Sequence, residues 1–422
     1  MNYKKAIIKQ GITLHKIDTN KFKTNLFAIF LTTKLNRENV TKNALISSIL
    51  RRGTMNLPSQ EEISKKMEEM YGGSFDCGLD KTGNNQVLKF YIETVNDKFI
   101  PQTKDDMLKQ SLETLLDIVF NPYIENNAFK EEYLAQEKNN IKQLIEGKID
   151  NKSRYALDRC IEEMYKGESY GLYKYGYIED LEGITARDLY NYYQNLISNC
   201  KIDIFVSGII DDQLDELVKN NENIKQLSER NGEFQKAELN NKKNTEPKEI
   251  IEKMDVTQGK LILGLDVNLS SEELKYDALL FNSILGGSAN SKLFQNVREK
   301  ANLAYVASSS YVRFKSNIFI KCGIEIENYK KALEIIKKQI EDMKNGDFTE
   351  DDIENSKKGI IASIKTIDDE QDTQITFYFG QELSNVPISI NEYIKNVESV
   401  NKQKIIDIAK NVSINTIYFL RN

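Results

Sequence analysis

LFQNVREKANLAYVASSSY, residues 293–311, changes its period halfway along. Leu293, Phe294 and Val297 fall on one helical face with charged residues opposite, and Ala301-Asn302 interrupts the pattern. From Leu303 to Tyr311 the stretch is strand-like. Arg298 and Tyr305 stand seven residues apart across this helix-to-strand corner. A fixed guanidinium near a phenol suits a developing oxyanion or a peptide carbonyl. Spacing alone equally allows plainer roles, an exposed helix Arg and a half-buried strand Tyr.

The segments around this corner recur, in order, in the first half of the chain. Strand LILGLDV (261–267) parallels LFAIFLTT (26–33), and helix ALLFNSILGG (278–287) parallels ALISSILRRG (44–53). Phe348-Thr349-Glu350-Asp351 opens a long helix as Phe129-Lys130-Glu131-Glu132 does. Tyr177-Ile178-x-x-Leu181-Glu182-x-Ile184-Thr185 matches Tyr393-Ile394-x-x-Val397-Glu398-x-Val400-Asn401. Each copy of that motif leads into a helix and a closing strand, KIDIFVSG (201–208) or INTIYFL (414–420). Ordered recurrence of this kind points to duplication. The expected fold is α+β: two duplicated domains, 1–221 and 249–422, each a mostly antiparallel sheet packed by helices. Residues 222–248 lose periodicity and become polar, which predicts a linker.

Within the first half, strands are expected at 6–17 and 25–33, then a helix from about Thr41 to Leu50 with Gly53 as its stop. Ser59 and Glu62 form a capping-box pattern for the next helix. Strands at 74–80 and 86–95 flank a Gly83-Asn84-Asn85 turn, and helices follow near 108–119, 129–145 and 153–165. Gly286-Gly287-Ser288 reads as a helix end or an anion nest.

Composition narrows the function classes. The 422 residues exceed one ordinary core, and 40% hydrophobic with 29% charged residues is the balance of a soluble globular protein. A net charge of −6 argues against gripping nucleic acid. No apolar run is long enough to span a bilayer, so no membrane role is expected. The opening MNYKKAIIKQGITLHKI has no apolar signal core. Cys77, Cys160, Cys200 and Cys322 lack CxxC spacing, which fits reduced thiols and a cytoplasmic setting.

The run Leu279 to Tyr305, LLFNSILGGSANSKLFQNVREKANLAY, resembles the C-terminal domain signature of the pitrilysin/insulinase metallopeptidases. These include mitochondrial processing peptidase and its bacterial relatives. The resemblance implies a clamshell of two such domains. It also implies that Arg298 and Tyr305 help to hold substrate and stabilise the transition state. In this family an extended substrate adds to a sheet edge, here near Ser74, Phe75 and Asp76.

Active members carry an inverted H-x-x-E-H motif on the helix after the second strand, where two His bind zinc and the Glu serves as base. Here Ala44 and Ser48 stand at the His positions and Ser47 at the base. The third ligand, a Glu on a later helix, corresponds to Leu144, seven residues after Glu137. An independent observation agrees: His15 is the chain's single histidine, and as a lone strand residue it is expected to be solvated or capped. Zinc favours nitrogen and sulfur, so the remaining carboxylates make a poor substitute.

One half of the machinery is kept and the other is absent. That asymmetry, with segment 137–176, resembles the non-catalytic chain of heterodimeric bacterial members. It implies a chain without cofactor that lends Arg298, Tyr305 and chamber wall to a zinc-bearing paralogous peptidase subunit acting on a peptide. The rival expectation is a stand-alone or homodimeric peptide-binding scaffold with no peptidase role. Under either, untagged protein should retain no stoichiometric zinc on purification. Elemental analysis showing one tightly held zinc per chain would refute this.

Overall fold

A strand that is apolar along nearly its whole length must be covered on both faces. Thr24–Lys34 is such a strand, buried from Asn25 to Thr33, and it lies inside a six-stranded sheet. The computed structural model describes residues 2–101, 106–232, 234–236 and 246–422. The first sheet contains β1 (Asn2–Lys9), β2 (Ile12–Asp18), β3 (Thr24–Lys34), β4 (Ser74–Thr82), β5 (Asn85–Val95) and β6 (Lys201–Gly208), in the order β1-β2-β6-β3-β5-β4. The second contains β7 (Lys248–Lys253), β8 (Gly259–Val267), β9 (Ala304–Val312), β10 (Asn317–Ile324) and β11 (Val412–Arg421), in the order β9-β10-β8-β11-β7.

The two orders are the same once β1 is set aside. β4-β5-β3-β6-β2 repeats as β9-β10-β8-β11-β7, with one parallel pair in each sheet, β2 with β6 and β7 with β11. The helices repeat as well. α1 (Val40–Ile49), α2 (Gln60–Glu69), α3 (Met107–Phe120), α4 (Glu131–Glu146), α5 (Lys152–Met164), α6 (Ile178–Gly183) and α7 (Ala186–Asn199) belong to the first half. α8 (Lys275–Asn282), α9 (Tyr329–Lys344), α10 (Glu350–Lys365), α11 (Gln371–Ser384), α12 (Ile390–Glu398) and α13 (Lys402–Lys410) belong to the second. Both α4 and α10 run for 16 residues. Thr185 caps α7 by accepting the Asp188 N–H, and Asn401 caps α13 by accepting that of Lys404. The chain is thus an α+β protein of two duplicated domains.

Contiguous halves do not describe the packing, because each half gives up one helix. α5 lays Ala156, Cys160 and Met164 against Ile262, Phe319 and Tyr418 of the second sheet. Gly264 makes this approach possible, since a Cβ there would sit 2.7 Å from the Met164 sulfur. In the other direction α11 covers β3 and β6, where the Phe379 ring stands edge-on to Phe30 with centroids 4.7 Å apart. Gln371 Nε2 donates to the Ser207 carbonyl at 2.7 Å. The compact units are therefore 1–146, 172–236 and 367–385 on one side, and 147–171, 237–366 and 386–422 on the other.

Three expectations need adjusting. The strand expected at 6–17 is a hairpin that turns at Gln10-Gly11, with Gly11 in the left-handed region at φ 80°. The segment 222–248 is not uniformly a linker: Glu222–Gln226 is helical, Ile224 is buried, and Arg230 donates to the carbonyls of Ser228 and Ile197. Residues 233 and 237–245 of that segment lie outside the described residues. His15, finally, follows the capped alternative and not the solvated one, and it is wholly buried. β2 alternates Ile12 and Leu14 into one core, which turns His15 to the opposite face, under α11.

There the imidazole is held on both sides. Nδ1 lies 2.8 Å from the Tyr3 hydroxyl, Nε2 lies 2.9 Å from Asp203 Oδ1, and the ring stacks on Phe205 at 4.1 Å. Lys201 shares the same Asp203 oxygen and lies 3.4 Å from Glu382 of α11, which also pairs with Lys5 at 3.0 Å. Burial alone would push the Asp203 carboxyl up; the Lys201 charge and the His15 bond outweigh it and hold the acid below its ordinary range. A depressed carboxyl contributes stability at neutral pH that is lost as pH falls through its folded value. Asp203→Ala should cost about 3–5 kcal/mol, because it leaves Lys201 and His15 buried without their acceptor. Denaturant melts at pH 7 would measure that loss, and the gap to wild type should narrow as pH drops below about 4.

Candidate functional site

α1 and its 3₁₀ extension Leu50–Arg52 carry the positions that the sequence resemblance assigns to the zinc motif. Ala44 and Ser48 lie one turn apart on one stripe, and Arg51 continues it. Ala44 is fully buried and Ser47 nearly so. The hydroxyls of Ser47 and Ser48 both donate back to the Ala44 carbonyl, at 2.8 and 3.3 Å. They are satisfied within their own helix and offer nothing to a cation.

α4 packs against α1, and between them a charge pair is closed. Arg52 Nε donates to Glu137 Oε1, Asn140 donates to the other oxygen at 3.1 Å, and Glu137 is 2% exposed. Leu144, two turns on, is half-exposed. Two serines, an alanine and a leucine supply no soft or imidazole donor, so these positions do not fit zinc. Among the described residues no group of three His, Cys, Asp or Glu side chains is placed to hold a metal ion.

The expected substrate edge is β4, which among the described residues pairs with β5 alone. Phe75 and Cys77 pack against the core that contains α1. Burial pushes the Cys77 thiol up to about 11 although the Arg51 charge opposes the rise. Ser74 and Asp76 face the other way, into a cleft of about 500 Å³ that they share with Tyr91, Glu93, Asp369 and Asp372. The acidic lining was hidden in the sequence because its members come from β4, β5 and the start of α11, nearly three hundred residues apart.

The Arg/Tyr corner belongs to the second unit. Phe294–Lys300 forms a π-helical turn, Asn302 takes the left-handed conformation at φ 50°, and the Leu303 N–H bonds the Val297 carbonyl at 3.1 Å. Asparagine tolerates that conformation better than most residues, which explains the break after Ala301. Arg298 lies over the Phe294 ring, 4.6 Å from its centroid, and its side chain is 44% exposed. Tyr305 sits where the register shifts between Ala304 and Val306, on edge strand β9, and is 67% exposed. Each has one loose acidic neighbour, Glu299 at 3.6 Å from Arg298 and Glu325 at 3.5 Å from the Tyr305 hydroxyl. Gly286 serves packing here: a Cβ would meet the Ser309 backbone nitrogen at 2.7 Å.

Comparison with known proteins gives this geometry a family. Residues 183–360 match the family model described as the peptidase M16 inactive domain. The chain is 36% identical, over 97% of its length and 96% of the other's, to the "Probable inactive metalloprotease YmfF" of Bacillus subtilis (strain 168). It is 24% identical, over 72% of its length and 73% of the other's, to the "Uncharacterized zinc protease YmxG" of the same strain. A conserved protein from Enterococcus faecalis V583 superposes with a TM-score of 0.91 at 28% identity, covering 100% of this chain and 99% of its own. The M16 inactive domain from Pseudomonas fluorescens shares the fold at a TM-score of 0.80 and 14% identity, covering 100% and 98%. This chain belongs to the M16 family, the insulinase-type metallopeptidases, as one of its inactive homologues.

Proposed function

We propose that this chain is the non-catalytic subunit of a two-chain zinc peptidase of the cytoplasm, lending Arg298 and Tyr305 to a peptide bound at a paralogous partner's metal. The observation that carries the proposal is a contrast within the chain. The three α1 positions that would serve the metal are buried or bonded to their own helix, whereas Arg298 and Tyr305 remain exposed on a corner built from a π-helical turn and a register shift. Irregular backbone of this kind concentrates where function demands it. In the partner, zinc would supply the activated water. This chain's guanidinium and phenol would donate to the carbonyl oxygen as charge gathers on it, a contribution that is largest in the transition state.

Free thiols at Cys77, Cys160, Cys200 and Cys322 suit a reducing compartment. No helix among the described residues is long and apolar enough to cross a membrane. A second reading, a homodimeric or solitary peptide-binding scaffold, is favoured by the unpaired edge of β4, which needs no partner to accept a strand.

The two readings separate in an assay of this chain mixed with a zinc-bearing paralogue. Arg298→Ala or Tyr305→Phe should lower kcat of the assembled pair by on the order of 10²–10³, with KM changed far less. Assembly and melting temperature should stay as in wild type, since both side chains are exposed. An intact pair with unchanged kcat in both variants, or no hydrolysis from any mixture, would favour the scaffold.

A further inference from the structure

A second cleft, of about 320 Å³, lies at the N-terminal end of β4. Ile63 and Met67 of α2 and Phe75 of β4 give it apolar walls, with Ser74, Arg51 and Glu68 also lining it. Arg51 differs from its neighbour. Arg52 is consumed by Glu137, but among the described residues no hydrogen bond or ion pair engages Arg51, and it is exposed. A guanidinium left free over apolar walls is a ready-made fork for a carboxylate.

The surroundings narrow which carboxylate fits. Glu68 lines the same cleft and disfavours a run of acids. The turn Met70–Gly73 leads from α2 into β4, so the cleft lies beside the end at which β4 begins. A peptide running antiparallel to β4 would bring its last residue to that end. We propose that the cleft binds the C-terminal residue of an extended peptide, its side chain against Ile63, Met67 and Phe75 and its terminal carboxylate on Arg51. This inference rests on the peptide-accepting role of β4 and deepens it by naming what the edge recognises: a free peptide end.

The test is binding, without a partner or hydrolysis. Fluorescein-labelled mixed-sequence octapeptides, prepared as free acids and as C-terminal amides, are titrated with the full chain and followed by anisotropy. The free acids should bind roughly tenfold to a hundredfold more tightly than the amides, the usual scale of a charge-assisted hydrogen bond. Arg51→Gln should erase that difference while leaving amide binding and the thermal melt unchanged, and Arg51→Lys should keep only part of it. Equal affinity of acids and amides, or an acid preference that survives Arg51→Gln, overturns the carboxylate site while leaving the edge strand as a docking surface. Failure of every peptide to bind at millimolar concentration overturns the edge strand and the carboxylate site together. Neither outcome touches the kcat contribution of Arg298 and Tyr305, which lie in the other unit.

Discussion

Each sheet of this protein has a face that its own half of the chain leaves bare. The first half covers one side of β3 with α1, α3 and α7, but Phe30 and Phe205 point the other way and need α11 from near the C-terminus. The second half likewise leaves Ile262 and Phe319 to α5. Burial of such surface is worth roughly 25 cal/mol per Å², so leaving a whole sheet face wet is not an option for a stable domain. The buried polar cluster around His15 follows from this arrangement. Once α11 seals the face, any charge left beneath must find partners there, and Tyr3, Asp203, Lys201 and Glu382 supply them.

The same economy of packing separates the two candidate sites. On α1, Ala44 and Ser47 lie in the core, and the Ser47 and Ser48 hydroxyls bond their own helix. Around β9 the corner stays irregular and wet, with Tyr305 and Val306 exposed on an edge strand. An exposed apolar pair beside an open ladder edge is a liability in a monomer unless something docks there. The two candidate sites therefore differ in packing as well as in residue identity.

Much of the architecture was legible because its signals are local. Apolar runs marked β3 and β8, Thr185 and Asn401 announced their helices, and a single histidine excluded a two-imidazole site before any fold was known. The unreadable parts were those decided by distant segments. An amphipathic helix declares that it has an apolar face but not which sheet will cover it, so the exchange of α5 and α11 left no mark in the sequence. His15 looked like any polar strand residue because its cover arrives from residues 371–384. Arg51 and Arg52 looked alike at the end of α1 until Glu137, 85 residues on from Arg52, claimed one of them.

The pairing of Arg52 with Glu137 also bears on what this helix pair can accept. A metal centre built here would need a bulky imidazole at a position such as Ala44, which has no free surface, beside a charge pair that is already closed. A histidine at Ala44 would have to displace packed neighbours, so Ala44→His alone should lower stability.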